Sequence, residues 1–417
     1  MQKKMRKFLV FILTLLVVTS CSEKKAKYVF LFIGDGMGFS HVAVTEAFKA
    51  TEKGVIGSEP LTFTQFPILG MATTHSANEF ITCSSAAGTA LAAGIKTRNG
   101  MLGVTPDTTN VTAISYKFHD AGRKVGIISS VTINHATPGA FYAHNPSRSD
   151  YYAIAKELPE TGFEFFGGGG FAKPFGKEDS ERPIYEIVAE KGYTISYGME
   201  DYMALKDKAE KIIMLQEKGK EENVLPYKNE LEESDLTLAQ VVDAAVKFLE
   251  NEKGFFIMAE GGKIDWAAHS NDVANTIFET LDFDAAIEVA YKFYQQHPDE
   301  TLIVVTADHE TGGISLGSSK GYKVDLTIVK EILDDIEDRD GKTEMESEET
   351  PDVFTYMSAK EINSYVSDKA SVGWTTTGHT GGAVPVFAIG AGSSLFSGRM
   401  DNTDIPKKIC KAAGIAF

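Results

Sequence analysis

The chain has 417 residues and a formal net charge of -17, with 43% hydrophobic and 24% charged residues. These are the fractions of a globular protein with a large core, and the length fits one large α/β domain with insertions or two domains. The acidic balance excludes a broad electrostatic footprint for nucleic acid, so any attraction of an anionic substrate must be local.

At the amino end, Lys3, Lys4, Arg6 and Lys7 precede an apolar run from Phe8 to Val18, the layout of a secretory leader rather than a spanning helix. The run closes in Val18-Thr19-Ser20-Cys21, which resembles a bacterial lipobox, where small residues precede a cysteine that becomes the lipidated amino terminus. The expectation is an exported protein that loses residues 1–20, carries lipid on Cys21 and is tethered through 21–27 as a periplasmic or outer-membrane lipoprotein. A soluble secreted protein cleaved near the same point is the plainer alternative. Cys21, Cys83 and Cys410 are the only cysteines, so no disulfide framework is encoded and no bridge is expected.

Apolar runs at Val29 to Ile33, Val125 to Ile128, Phe255 to Met258, Leu302 to Thr306 and Val384 to Ile389 alternate with helical patterns. Runs apolar at nearly every position predict strands buried on both faces, hence an α/β three-layer sandwich with a mostly parallel central sheet flanked by helices. One domain over 28–417 is expected. Charged stretches from Glu200 to Glu233 and from Asp334 to Pro351 place solvated surface insertions at about 195–235 and 320–372.

Three of these runs end at once in polar residues: Gly34-Asp35-Gly36, Ala259-Glu260-Gly261, and Ala307-Asp308-His309-Glu310. In open α/β sheets the site lies beyond the carboxyl ends of the strands, so these residues are expected to converge. Asp265 and His269 stand four apart on one face of a predicted helix, a spacing that lets both reach one cation. Taken alone, that pair is more simply a surface ion pair. Adding His379 in Thr377-Gly378-His379-Thr380-Gly381-Gly382 gives a pool large enough for two or three divalent sites. Mixed histidine and carboxylate ligands favour zinc, and an all-oxygen set favours magnesium.

The run Thr82-Cys83-Ser84-Ser85-Ala86-Ala87-Gly88-Thr89-Ala90 puts hydroxyls at the start of a small-residue helix, where free amides and the helix dipole suit a phosphate. Without context, Ser84 is an ordinary N-cap. No Gly-x-Ser-x-Gly elbow is present, so activation by a histidine and acid triad is not indicated.

In order and spacing these segments resemble the alkaline phosphatase family. The matching stretches are IGDGMG around Asp35, the Ser84 run closing in Gly94-Ile95-Lys96-Thr97-Arg98-Asn99-Gly100, and His135-Ala136-Thr137-Pro138 with His144-Asn145-Pro146-Ser147-Arg148. Glu260 with Asp265 and His269, TADHETGG around Asp308, and the His379 segment complete a likeness running from Val29 to Ile389. The resemblance implies Ser84 as a nucleophile that forms a covalent phosphoserine, and Arg148 as the bidentate grip on the phosphoryl group. It implies Asp265, His269 and His379 around a first zinc, and Asp35, Asp308 and His309 around a second. The resemblance also implies that Asp35 bridges to a magnesium-type third site with Thr137 and Glu260. The implied substrates are small phosphate monoesters, with no nucleic acid as partner, and a homodimer is allowed because many relatives form one.

Three positions depart from the family form that carries Asp-Ser at the nucleophile, Asp near the third metal and Lys after the first-zinc Asp: Cys83, His135 and Trp266. Cys83 cannot hold the Arg148 guanidinium by charge, and Trp266 adds no positive charge beside the phosphate. Both changes point to a looser hold on phosphate and faster product release. His135 replaces an anion near the third metal and softens that site toward zinc. Cys83 is more simply a small buried hydrophobe than a redox group. His41, His75, His119, His144 and His297 are read as structural. The competing readings are a phosphodiesterase of the same metal superfamily and a lipoprotein that binds metal or phosphate without turnover.

Overall fold

The structure is a computed structural model that describes residues 24–216, 223–318, 322–331 and 357–417. The leader, Cys21 and the acidic run 334–351 lie outside the described residues.

One ten-stranded sheet organises the chain. Its first eight strands are β1 Tyr28–Gly34, β2 Ile68–Thr73, β3 Lys124–Ser129, β4 Phe165–Gly168, β5 Thr194–Tyr197, β6 Ile212–Leu215, β7 Phe255–Gly261 and β8 Thr301–Thr306. The last two, Val384–Gly390 and Gly398–Asp401, are called the Val384 and Gly398 strands. Across the sheet the order is Gly398 strand, β2, Val384 strand, β8, β1, β7, β3, β4, β6, β5. The Val384 strand runs antiparallel to both β2 and β8, and every other neighbouring pair is parallel. All five predicted strands are present, in the mostly parallel sheet expected.

Consecutive residues of a strand point to opposite faces, and β7 shows what covers each face. Phe255 meets Phe293 of the helix Val273–Gln296, with ring centroids 5.5 Å apart. Its neighbour Phe256 meets Phe118 of the helix Ile114–Asp120 at 5.0 Å and Phe141 at 6.3 Å. The sheet is therefore the middle of three layers. β1, β7 and β8 are buried at every residue, which is why their sequences are apolar without alternation. Truncating a phenylalanine such as Phe30 at this depth costs about 3–5 kcal/mol.

The region 195–235 is not simply a solvated insertion. It contains β6, buried at all four residues between β4 and β5. An apolar run of four flanked by Lys208, Glu210 and Lys211 is too short for periodicity to lift it out of its charged surroundings. Within 320–372, the helix Ala359–Ala370 starts with a Ser358–Glu361 capping box and packs Val366 and Ala370 into a second apolar cluster with Val273, Phe278, Leu326 and Val329. Its polar face is the part that composition describes. Ala26 is fully buried and its amide donates to Ala412 O at 2.9 Å, so the packed backbone begins two residues inside the segment read as tether.

Because β1, β3, β7 and β8 are parallel, Asp35, the 130–137 segment, Glu260 and Asp308 leave the sheet at one edge. The Val384 strand, running the other way, brings its preceding residues to that edge, where His379–Thr380 pairs antiparallel with Glu310–Thr311. Among the described residues, Cys83 and Cys410 are both free thiols, and Cys410 is buried in the helix Asp404–Ala413.

Candidate active site

Ser84 is the first residue of the helix Ser84–Ala93, with Cys83 at its N-cap. Small side chains let this helix lie against the turn Ala136–Gly139: a Cβ added to Gly88 would stand 3.3 Å from Thr137 Cα and 3.2 Å from Ala140 Cβ. Ser84 Oγ is 3.2 Å from His309 Nε2 and accepts from Arg148 Nη1 at 3.4 Å. Arg148 Nη2 reaches His135 Nε2 at 3.2 Å, and Trp266 stands edge-on to the His135 ring, centroids 6.2 Å apart. Cys83 is half-buried rather than core, and Gly100 N donates to its Sγ at 3.1 Å.

Carboxylates and imidazoles crowd around this serine. Among the described residues, three groups of side chains have ligand atoms close enough to share a cation: Asp265, His269 and His379; Asp35, Asp265 and His309; Asp35, His135 and Glu260. Asp308 Oδ2 lies 3.3 Å from His309 Nε2, beside the second group, while its Oδ1 accepts from Gly36 N and His309 N. Gly36, at φ 72°, is required here, because a Cβ would press to 3.0 Å from Asp265 Oδ1 and 2.8 Å from Thr311 Oγ1.

The hydrogen bonds assign the imidazole tautomers. His379 Nδ1 donates to Thr82 O at 2.9 Å and so aims an Nε2 lone pair at His269 Nε2, 3.2 Å away, while His269 Nδ1 donates to Thr377 O at 2.6 Å and its hydrogen bond to Asp265 raises its pKa. Asp265 carboxylate oxygens stand 3.3 Å and 3.7 Å from the Nε2 atoms of His269 and His379. Thr311 Oγ1 donates to Asp265 Oδ1 at 2.5 Å and so accepts from His309 Nδ1 at 3.2 Å, which leaves His309 Nε2 as a lone pair 3.2 Å from Asp35 Oδ1. Lone pairs facing lone pairs at this range repel unless a cation lies between them.

The buried oxygens make the same demand. Among the described residues, both Asp35 oxygens, Glu260 Oε1, Asp308 Oδ2 and Thr137 Oγ1 are buried without a hydrogen-bond partner. Burial, reinforced by the neighbouring carboxylates, raises Asp35 far above the usual range and pushes Asp308 to about 7. Burial pushes Glu260 to about 7 even though Ser129 Oγ donates to it. Asp265 goes the other way: burial works to raise it, but the His269 hydrogen bond and the three imidazoles hold it well below the usual range. Burial drives His309 well below its ordinary value, and burial with the Arg148 charge takes His135 to about 3, so both rings are neutral. Imidazole nitrogens, orphaned oxygens and carboxylates that burial makes costly as bare anions fit divalent cations at all three groups, and the third adds the Thr137 hydroxyl.

The eight candidate ligands Asp35, Thr137, Glu260, Asp265, His269, Asp308, His309 and His379 come together at this edge with Ser84 and Arg148. The other five histidines stay outside the three groups; His144, for one, is tied to Glu157 at 2.9 Å. Sequence reasoning misses Thr311, although its hydroxyl sits three residues after Asp308 in the same run. It also misses the Thr82 and Thr377 carbonyls, which no side chain could signal, and it gives His135 no contact with Arg148.

The family model for alkaline phosphatase matches residues 26–164 and 179–415. Alkaline phosphatase 3 of Bacillus subtilis is 31% identical over 94% of this chain and 90% of its own length. Alkaline phosphatase of Gadus morhua is 28% identical over 96% and 94%. Among solved structures, the cold-active enzyme of a psychrophilic Shewanella superposes with a TM-score of 0.79 at 31% identity, covering 93% of this chain and 99% of that one. The alkaline phosphatase of the Antarctic bacterium TAB5 gives 0.75 at 30%, covering 95% and 100%, and a His-to-Glu mutant of that enzyme has Mg bound in its M3 site. This chain belongs to the alkaline phosphatase family.

Proposed function

We propose that the protein hydrolyses phosphate monoesters to an alcohol and inorganic phosphate, with Ser84 as nucleophile. The carrying observation is that Ser84 Oγ stands at a helix N-terminus within reach of both His309 Nε2 and Arg148 Nη1, beside three cation-competent groups. Zinc at the Asp265, His269 and His379 group and at the Asp35, Asp265 and His309 group would supply Lewis acidity to the leaving-group and serine oxygens, with magnesium at the third. The third group, with His135 as neighbour, also suits zinc.

Arg148 offers two parallel N–H donors to the phosphoryl oxygens, and the amides of the first helical turn offer more. Ser84 Oγ bonds to phosphorus while the ester P–O bond breaks and the alcohol departs. Water then cleaves the phosphoserine, which releases phosphate and restores Ser84. Thr311, Thr82 and Thr377 fix the rings of His309, His379 and His269 so that each Nε2 stays aimed inward. The leader and Cys21 extend the proposal to an exported, lipid-anchored enzyme acting on small phosphomonoesters outside the cytoplasm.

The test is hydrolysis of a chromogenic phosphate monoester by the mature chain, after chelation and after restoring zinc and magnesium, beside Ser84→Ala and a matched diester. Metal-dependent monoester turnover that collapses in the variant supports the proposal. Preferential diester cleavage moves the chain to a phosphodiesterase, and bound metal without turnover makes it a binding protein. Radiolabelled palmitate on wild type but not on Cys21→Ala tests the anchor.

A further inference from the structure

Ser84 and Arg148 lie 64 residues apart, yet both must touch one phosphoryl group. The segment Thr97 to Gly100 stands between them and bonds to the chain beside each. Asn99 uses both ends of its amide on the approach to the nucleophile: Nδ2 donates to Ile81 O at 2.9 Å, and Oδ1 accepts from Cys83 N at 3.0 Å. Asn99 N itself donates to Asn78 Oδ1 at 2.9 Å, and Gly100 N donates to Cys83 Sγ at 3.1 Å. On the other side, Gly100 O accepts from Arg148 N at 2.7 Å, and Leu102 exchanges backbone hydrogen bonds with Asn145. One short turn thus fixes the residue before Ser84 and the backbone of Arg148.

We infer that Asn99 is a positioning residue that sets the spacing between Ser84 and the Arg148 guanidinium through the Cys83 and Gly100 backbone. The inference rests on the phosphomonoesterase reading of this site. The chemistry of the position needs one acceptor and one donor side by side, which an amide supplies. A carboxylate at 99 would keep the acceptor for Cys83 N but repel Ile81 O, and an alanine would lose both contacts. Neither Asn99 oxygen nor nitrogen serves its own turn, so the side chain is committed to a different segment from the one that carries it. Its partial exposure means that truncation opens no core cavity and the chain should still fold.

The test uses the zinc- and magnesium-loaded protein with Asn99→Ala, Asn99→Asp, Arg148→Ala and the double variant Asn99→Ala/Arg148→Ala. The readouts are kcat/KM on a chromogenic monoester, affinity for inorganic phosphate by calorimetry, metal content, and amide hydrogen exchange at Cys83 in the metal-free chain. Asn99→Ala should lower kcat/KM about tenfold or more, because sub-ångström misplacement of reacting groups is amplified in rate. It should also weaken phosphate binding, speed exchange at Cys83 and leave metal content unchanged, with Asn99→Asp between it and wild type. In the Arg148→Ala background the same change should cost less than about threefold, since residues that act through one another are not additive. An undiminished loss in that background, or no loss in the single variant, overturns the inference. Absence of Ser84-dependent turnover in wild type would defeat the functional reading alone, and the phosphate affinities would still decide the role of Asn99.

Discussion

The guanidinium of Arg148 is held by an imidazole: its Nη2 lies 3.2 Å from Nε2 of His135, a ring that burial and the arginine charge keep neutral. A neutral acceptor makes a weaker bond to a cation than a carboxylate does. His135→Asp should therefore stiffen Arg148 and harden the group it shares with Asp35 and Glu260 toward magnesium. Elemental analysis of the variant loaded from an equimolar mixture is expected to show a higher magnesium-to-zinc ratio, with phosphate inhibition several-fold stronger. An unchanged ratio would separate His135 from the third group.

Trp266 presents an indole edge to His135 at the place where added positive charge would face the phosphate. Trp266→Lys should lower the phosphate inhibition constant about tenfold, the order expected of one partly desolvated charge contact. Product release should then slow, so kcat falls if that step limits turnover. Steady-state inhibition at fixed metal concentration is the check, and an inhibition constant that stayed level or rose would contradict the looser grip inferred from the sequence.

Thr311 joins two cation groups with one hydroxyl, donating to Asp265 and accepting from His309. Thr311→Val keeps the shape and deletes both bonds. Loss of an outer hydrogen bond of this kind lowers metal affinity about 10–100-fold, so chelator titration should strip the variant at correspondingly lower chelator concentration. Equal retention of metal by both proteins would mean that packing alone orients His309.

Glu279 tests burial away from the site. It lies in the helix Val273–Gln296, accepts from Lys228 N at 2.8 Å, and burial raises it to about 8. An unfolded glutamate titrates near 4.3, so the folded chain binds this proton more tightly. The stability it contributes is complete below about pH 4 and is lost as pH rises through about 8. Glu279→Gln removes that dependence while keeping an acceptor for Lys228. Calorimetry should show the variant gaining on wild type by a few degrees in Tm between pH 5 and pH 9. A constant difference across that range would mean Glu279 is already ionised when folded.

Much of this architecture could be read from the chain alone, and the misses have physical causes. β1, β7 and β8 announce themselves because strands covered on both faces are apolar throughout, and their last residues point straight at Asp35, Glu260 and Asp308. The direction of the Val384 strand carries no such mark, since an antiparallel strand buried on both faces has the same composition as a parallel one. β6 hides in charged flanks, and the helix Ala359–Ala370 buries only a narrow stripe. Within the site, ligand types and spacing identify the cluster. Which oxygen turns each imidazole depends on backbone carbonyls at Thr82 and Thr377, and these exist only once the chain has folded.

β2 has its two neighbours in the Val384 and Gly398 strands, both contributed by the last 34 residues of the chain. During synthesis, residues 68–73 must therefore wait for more than three hundred others before they gain a partner on either side. His379 arrives just ahead of the same late segment, so a chain that ends before residue 379 lacks one member of the Asp265, His269 and His379 group. That group is complete only once His379 has been made, and a chain clipped before Val384 would leave β2 without either of its strand neighbours.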